Sequence, residues 1–339
     1  RSTLFPYTTL FRSALANYCN QVIENLPHIP ADKITDTDRA MIQNEAYFLR
    51  GYYHMKLLLN WEQIVIRDKY ISSVAELDKP LSTRTEAWDF IIDNFKKATA
   101  LPANRTSETV GRATQGAAYA YLGWAHLTRA YEETGRKDAS LNAAVEALNR
   151  VTGYELVKEL RTLFDGTNKN SKESIFEIQL TLSTANGARY RTQLHRFIGC
   201  SELQGWDEVL PTDLLIQAYQ KEGKTATDGR YDGRLYETLF FKDEYFNDTV
   251  AKRVYDKTYD EWFQGADKPV FRKYMPADAA GLSAAYFAPN IVLMRYANVL
   301  LMKAEALNEL GRTSEAIPLV NEVRKRAGMP AMKIGRAHV

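Results

Sequence analysis

Cysteine is nearly absent: Cys19 and Cys200 are the only two in 339 residues, too few and too far apart for a disulfide framework. Neither belongs to a CxxC pair or a Cys/His cluster, so no zinc site is indicated. No run of about 18 apolar residues occurs, so no segment reads as a membrane-spanning helix. A dominant charge is also missing: 44 Lys and Arg face 42 Asp and Glu, which gives no electrostatic case for nucleic acid. Catalytic signatures are lacking, with no HExxH, GxSxG, P-loop or dinucleotide-binding glycine motif. Of the five histidines, His54 and His126 fall in predicted helices, where packing explains them better than metal. The expectation is therefore no catalytic residue, no metal and no cofactor.

Both ends are set apart. Thr3 to Ser13, TLFPYTTLFRS, matches the conceptual translation of a sequencing-library adapter, and Ile334 to Val339, IGRAHV, matches the opposite adapter. We treat residues 1–13 and 334–339 as adapter artefact and leave them out of fold reasoning. Without Arg1, Arg12 and Arg336 the formal charge moves from +2 to −1. The rest reads as an internal fragment, in which a missing signal peptide or lipid-bearing cysteine carries no information.

Helical periodicity dominates what remains. Helices are expected over Ala14–Leu26, Asp36–Trp61, Arg84–Ala100, Gly111–Tyr131 and Ala139–Val151, with Thr83 or Thr85 as a cap for the third. The strongest stretch is Ile291 to Gly328. Leu293, Ala297, Leu300, Ala304 and Leu307 fall on one helical face, Gly311 provides a stop, and Thr313 can cap a second helix carrying Ala316, Val320, Val323 and Ala327. The alternation of small and large residues resembles tetratricopeptide (TPR) helical hairpins. Ala144 follows Gly135 by nine residues where Ala316 follows Gly311 by five, so a longer loop or an added turn is expected there. The fold class is thus mostly α. TPR-like hairpins over 14–163 and 291–333 flank a loop-rich insertion, 164–290, with short strands such as Glu173–Leu180.

At these residues a family resemblance becomes specific. Arg295 to Gly311, followed by Ala316, Asn321, Val323, Arg324 and Arg326-Ala327-Gly328, resembles the signature helix pair of the SusD/RagB family. Glu45-Ala46-Tyr47-Phe48-Leu49-Arg50, Gly111-Arg112-Ala113, Glu173-Ser174-Ile175-Phe176-Glu177-Ile178, Pro211-Thr212-Asp213 and Asp232-Gly233-Arg234 resemble further family segments in the family's order. One departure is Trp61-Glu62-Gln63-Ile64-Val65, where the family has Gly-x-(Val/Ile)-Pro. The resemblance implies a SusD-like α-α superhelix and a surface glycan-binding lipoprotein. Such a protein captures oligosaccharides and delivers them to a SusC-like TonB-dependent transporter in the outer membrane. An N-terminal lipid anchor on a missing N-terminus would hold it there, exposed at the cell surface.

Protein sites for sugars stack a ring against the apolar face of a pyranose while amides, carboxylates and Arg bond its hydroxyls. Two clusters in the insertion have that mixture. One is Asn186, Arg189, Tyr190, Arg191, Gln204, Trp206 and Asp207; the other is Tyr245, Asn247, Tyr255, Tyr259, Asp260 and Trp262. From them Trp206, Trp262, Tyr190, Arg189, Asn186, Asp207 and Tyr259 are the candidate ligand-binding residues. The competing account for each ring is ordinary burial. Asp256, Asp260 and Glu261 could pair for glycoside hydrolysis only if suitably spaced. Asp228 and Asp232 lack the acid-rich loop and terminal glutamate of a calcium motif. A different class of function, a TPR-type peptide or protein scaffold or a peptide-uptake homologue, stays open beside the glycan reading.

Overall fold

A computed structural model describes residues 4–333, so residues 1–3 and the adapter-like segment at 334–339 lie outside the described residues, whereas 4–13 of the first adapter-like segment continue the expected helix at Ala14 towards the N-terminus. The chain forms two compact units, each assembled from discontinuous sequence. The first runs to Gly153 and takes in Asn298–Ala316; the second comprises Tyr154–Ala297 and the chain from Ile317 onward.

The first unit is built of α1 (Leu4–Asn25), α2 (Asp36–Leu58), α3 (Arg84–Ala98), α4 (Gln115–Glu132) and α5 (Lys137–Asn149), each packed on the next. Local chemistry sets their starts. Thr83 accepts the Glu86 N–H while Glu86 accepts the Thr83 N–H at 2.8 Å, a reciprocal capping box. Thr114 caps α4 through the Ala117 N–H, so that helix begins four residues later than Gly111. The extra turn expected near Gly135 is a single 3₁₀ turn, Thr134–Arg136, leading directly into α5.

Packing follows from the small residues of α4. Ala117, Ala118, Ala120 and Ala125 are buried. A Cβ on Gly123 would stand 2.5 Å from Leu148 Cγ, so glycine there lets α5 approach. Phe48, Phe95 and Tyr121 meet with centroids 5.5 to 5.8 Å apart, a geometry that adds to their apolar burial. On the rim, Glu132 accepts from Trp88 Nε1 at 2.6 Å and pairs with Arg84, tying α3 to α4.

Two buried polar side chains of this unit, His54 and Arg50, find partners. His54 donates through Nδ1 to Arg50 O at 2.8 Å and accepts the Arg67 N–H on Nε2 at 3.0 Å, which fixes a neutral ring. Arg50 donates to Asn94 and Asn20 and lies over the Phe90 ring at 5.1 Å.

The second unit holds β1 (Ser174–Ile178), α6 (Leu194–Ile198), α7 (Asp213–Gln220), α8 (Gly233–Thr238), β2 (Leu239–Phe240), α9 (Tyr259–Phe263), β3 (Val270–Phe271), α10 (Ala279–Leu282) and β4 (Ile291–Arg295). β1 pairs antiparallel with β4 through an irregular register, Phe176 opposite Met294 and Ile178 opposite Ile291; β2 pairs antiparallel with β3. This corrects the sequence expectation that Ile291 to Arg295 opens a helix. Five consecutive apolar or long residues carry no period of their own, and pairing with β1 selects the extended form.

Two further helices, α11 (Tyr296–Glu309) and α12 (Thr313–Arg326), run through both units. Gly311 adopts φ +75° while its N–H bonds Asn308 O and the Arg312 N–H bonds Leu307 O, the double closure of a Schellman motif. Gly328, φ +72°, ends α12 in the same way on Lys325 and Arg324. Thr313 does not cap α12 as expected; it is the first helical residue, and its hydroxyl donates to Asn308 Oδ1 at 2.9 Å.

Both cysteines are buried and free, and burial pushes each thiol up to about 12. Among the described residues no helix is long and apolar enough to cross a membrane, and no His/Cys/Asp/Glu group could hold a metal.

Candidate functional site

The insertion leaves the β1–β4 pair at Ile178 and returns to it at Ile291. Asn290, buried, closes that neck by donating to Glu177 and Gln179 and accepting the Leu180 N–H. Beyond the neck a loop is pinned by the Thr181 N–H on Tyr190 O. Thr192 and Phe287 then exchange both backbone hydrogen bonds at 2.8 Å. That antiparallel bridge lays residues 192–195 beside 284–287.

Arg196 fastens the next stretch. Its guanidinium donates to Gln204 O (2.6 Å), Ser283 O (2.9 Å) and Ala284 O (3.4 Å), three carbonyls on two segments. His195 is buried beneath it, Nε2 on Ala284 O at 3.0 Å and its ring against Phe287. The carbonyl requires the proton on Nε2, and burial lowers the pKa. The loop 199–207 is drawn tight by Gly205 N–H to Cys200 O (2.7 Å), Trp206 N–H to Arg196 O (2.8 Å) and Asp207 N–H to Gly199 O (3.1 Å). A Cβ on Gly205 would fall 2.0 Å from Gly199 O, so only glycine permits this approach.

Four rings stand out from this surface: Tyr190 at 67% exposure, Trp206 at 50%, Phe197 at 45% and Tyr286 at 40%. Large rings are usually buried, so a group of open ones beside polar side chains is informative. Arg191 stacks over Tyr286 at 3.9 Å and holds that ring in place. Asp207 accepts from Ser201, which lowers its pKa, and lies 3.4 Å from Lys268; that lysine also pairs with Glu202 at 2.8 Å. The four rings thus stand on loops that these hydrogen bonds connect, with Arg189 and Arg191 flanking Tyr190 and Asp207 following Trp206 in sequence. Open rings beside such polar side chains are the chemistry that stacking and hydrogen bonding to a ligand require.

Of the sequence candidates, Tyr190, Arg189, Trp206 and Asp207 lie on these exposed loops, and the Asn186 side chain lies outside what the structure describes. In the second cluster the expectation for Tyr259 is corrected, and Trp262 is half-buried. Tyr259 is fully buried, donating to Lys268 O at 2.7 Å, so no face is open to a ligand. Trp262 donates to Val254 O at 2.6 Å, packs against the core and carries Lys257 over its ring at 4.4 Å. Tyr245 and Tyr255 likewise pack the core formed around Tyr236, Phe240 and Phe246. Asp256 sits in a tight turn and Asp260 in the first turn of α9, so no shared helix spaces them.

Phe197 and Tyr286 were not anticipated. For Tyr286 a signal existed: in extended chain neighbours face opposite ways, and Phe287 is the residue that turns inward.

Comparison with known proteins adds an independent line. Residues 172–338 match the profile described as the SusD family, and residues 6–127 match one described as starch-binding associating with outer membrane. The chain is 28% identical over 331 residues to SusD-like protein P2 of Formosa agariphila, covering 93% of this chain and 61% of that protein. It thus spans less than two thirds of the curated relatives it matches, 61% and 63%. Among solved structures, a SusD superfamily protein from Bacteroides vulgatus aligns with TM-score 0.78 at 25% identity, covering 95% of this chain and 66% of that one. A laminarin-binding SusD-like protein shares the fold with TM-score 0.70 at 18% identity, covering 95% and 70%.

Proposed function

The chain belongs to the SusD/RagB family, and from that premise we propose that it is a glycan-binding subunit, not an enzyme, whose ring platform holds an oligosaccharide. The observation that carries this reading is the set of four open rings, Tyr190, Phe197, Trp206 and Tyr286, on loops braced by Arg196 and Arg191. Apolar pyranose faces cover such rings, and Arg189 and Asp207 at the edge take the hydroxyls. A neighbour of the same fold described as laminarin-binding, and another described with a xylogluco-oligosaccharide, support a polysaccharide fragment as ligand.

The captured sugar passes, in this proposal, to a SusC-like TonB-dependent transporter, with the full-length protein anchored by lipid at the outer-membrane surface. The description "associating with outer membrane" supports that placement. Exposed apolar residues of the first unit, among them Val74, Leu77 and Tyr18, suit contact with a large partner.

Calorimetric titration with laminarin- and xyloglucan-derived oligosaccharides and with peptides tests the reading. A sugar should bind, and Trp206→Ala should weaken it about tenfold or more with folding intact. Peptide binding without any sugar response would instead identify a peptide-uptake homologue or a scaffold.

A further inference from the structure

Apart from the ring platform, the second unit contains a polar cavity of about 230 Å³ that the glycan-binding reading leaves unused. Arg161, Lys252, Arg253 and Arg272 line it, with Tyr255, Asp256 and Asp278. Two of these guanidinium groups are half-buried and incompletely bonded. Arg161 donates through Nη2 to Pro276 O at 2.7 Å and lies 3.4 Å from Asp165 through Nε, while its Nη1 is buried without a partner. Arg272 donates through Nη1 to Tyr236 O at 2.6 Å and lies 3.5 Å from Glu237, while its Nε is buried without a partner.

Aromatic rings flank Arg272, which lies over Phe240 and Phe246 at 5.3 and 5.7 Å. Burial lowers its pKa, and the charge of Arg161 lowers it further, so the two cations stand within each other's field. Two acids stand beside these cations, Asp165 at Arg161 Nε and Glu237 at Arg272 Nη1, and neither reaches the unpartnered N–H groups. Acids around the cavity also have other partners or roles. Asp165 accepts from Thr167, Asp278 caps α10 through the Gly281 N–H, and Asp248 takes Arg253 at 2.7 Å.

The wall is formed by a two-residue turn in which Val254 and Lys257 exchange hydrogen bonds at 3.1 Å, with Tyr255 at φ +50° and Asp256 at φ +62°. Asn and Gly are the usual residues there. Tyr255 offsets the strain by burying its ring and donating to Pro276 O at 2.9 Å; burial raises its pKa, and the charge of Arg161 and a polar contact with it act the other way.

Unbonded N–H groups on two neighbouring cations call for an acceptor that also brings negative charge; water provides the bond without the charge. We propose that the Arg161–Arg272 cavity takes the oxyanion group, carboxylate or sulfate, of an acidic saccharide. Only the word saccharide rests on the glycan-binding reading; the oxyanion follows from the cavity. Lys252, exposed at the rim, adds a third cation, and exposed Asp256 opposes them.

The test is titration of the chain at low ionic strength with inorganic sulfate, sodium glucuronate and neutral glucose. Sulfate or glucuronate should bind and glucose should not; the stronger of the two identifies the oxyanion. Arg161→Gln should weaken binding about tenfold or more. Because Arg161 is partly structural, two rim variants carry the decision: Lys252→Ala should weaken anion binding and Asp256→Asn should strengthen it, each several-fold. Trp206→Ala should leave sulfate binding unchanged, so a failure of the ring platform and a failure of the cavity are told apart. Absence of heat with both anions, equal binding of glucose, or indifference to both rim variants would overturn the proposal.

Discussion

The two units satisfy their backbones by opposite means. In the first, helices bond their own N–H and C=O groups, and side chains are left to fill space: Phe48, Phe95 and Tyr121 against a row of alanines. In the second, loops have no such ladder, and arginines close the account, Arg196 taking three carbonyls while Arg161 and Arg272 take one each. Loss of volume should therefore hurt the first unit most, and loss of a donor the second.

Phe95→Ala attacks the helical side of that contrast most directly. It should cost about 3 to 5 kcal/mol in chemical denaturation, as expected for a buried ring in a packed core. A cost below about 1 kcal/mol would mean that α2, α3 and α4 are not packed as described.

Acid probes the same unit through its histidines. Burial holds His54 at about 4 against 6.5 for the free ring, so in the window between those values only the unfolded chain takes up the proton. Stability should be full above pH 6.5 and fall towards pH 4, by up to about 1.4 kcal/mol per pH unit for each such histidine. His126, also held at about 4 by burial, supplies a second share. A pH series on His54→Gln should show roughly half the slope, and an unchanged slope would contradict the buried neutral ring.

On the loop side, Arg196→Ala frees three carbonyls at once. A loss of about 2 kcal/mol is expected, together with weaker oligosaccharide binding because the loop that carries Trp206 loses its side-chain tie at Gln204 O. Stability loss without any change in sugar binding would separate the brace from the platform. The smallest expected effect is Gly311→Ala, about 1 kcal/mol, read as a shift in denaturation midpoint. The methyl there meets no neighbour, so only the left-handed backbone resists it. A neutral result would leave the Schellman closure without energetic consequence.

The same contrast governs what the sequence discloses. α3 and its cap were legible because Thr83 and Glu86 act within one turn, and Ala87, Ile91, Phe95 and Ala98 repeat with the helix; all four are buried. β4 was not legible, because its partner β1 lies more than a hundred residues away and the run Ile291–Arg295 has no internal period. In the insertion composition pointed to rings in loops, yet Tyr259 and Trp262 turn inward while Tyr190 and Trp206 turn outward. That choice depends on contacts between distant segments, such as Arg196 on Ser283 O and Lys268 on Glu202, which leave no mark in neighbouring residues.

The neck of the insertion has a consequence for how such a molecule changes over generations. Ile178 and Ile291 face each other across the strand pair, and Asn290 seals the junction, so everything from 181 to 289 begins and ends at one fixed doorway. Residues on the far side of that doorway are also held by Arg324 on Glu222 and by the Gly233 N–H on Ala327 O, so it is the outer loops that can be exchanged or lengthened while the strand pair keeps its register. Under the proposed glycan-binding reading, the outer loops would then drift from one ligand to another while the braced scaffold stays under its own, separate constraint.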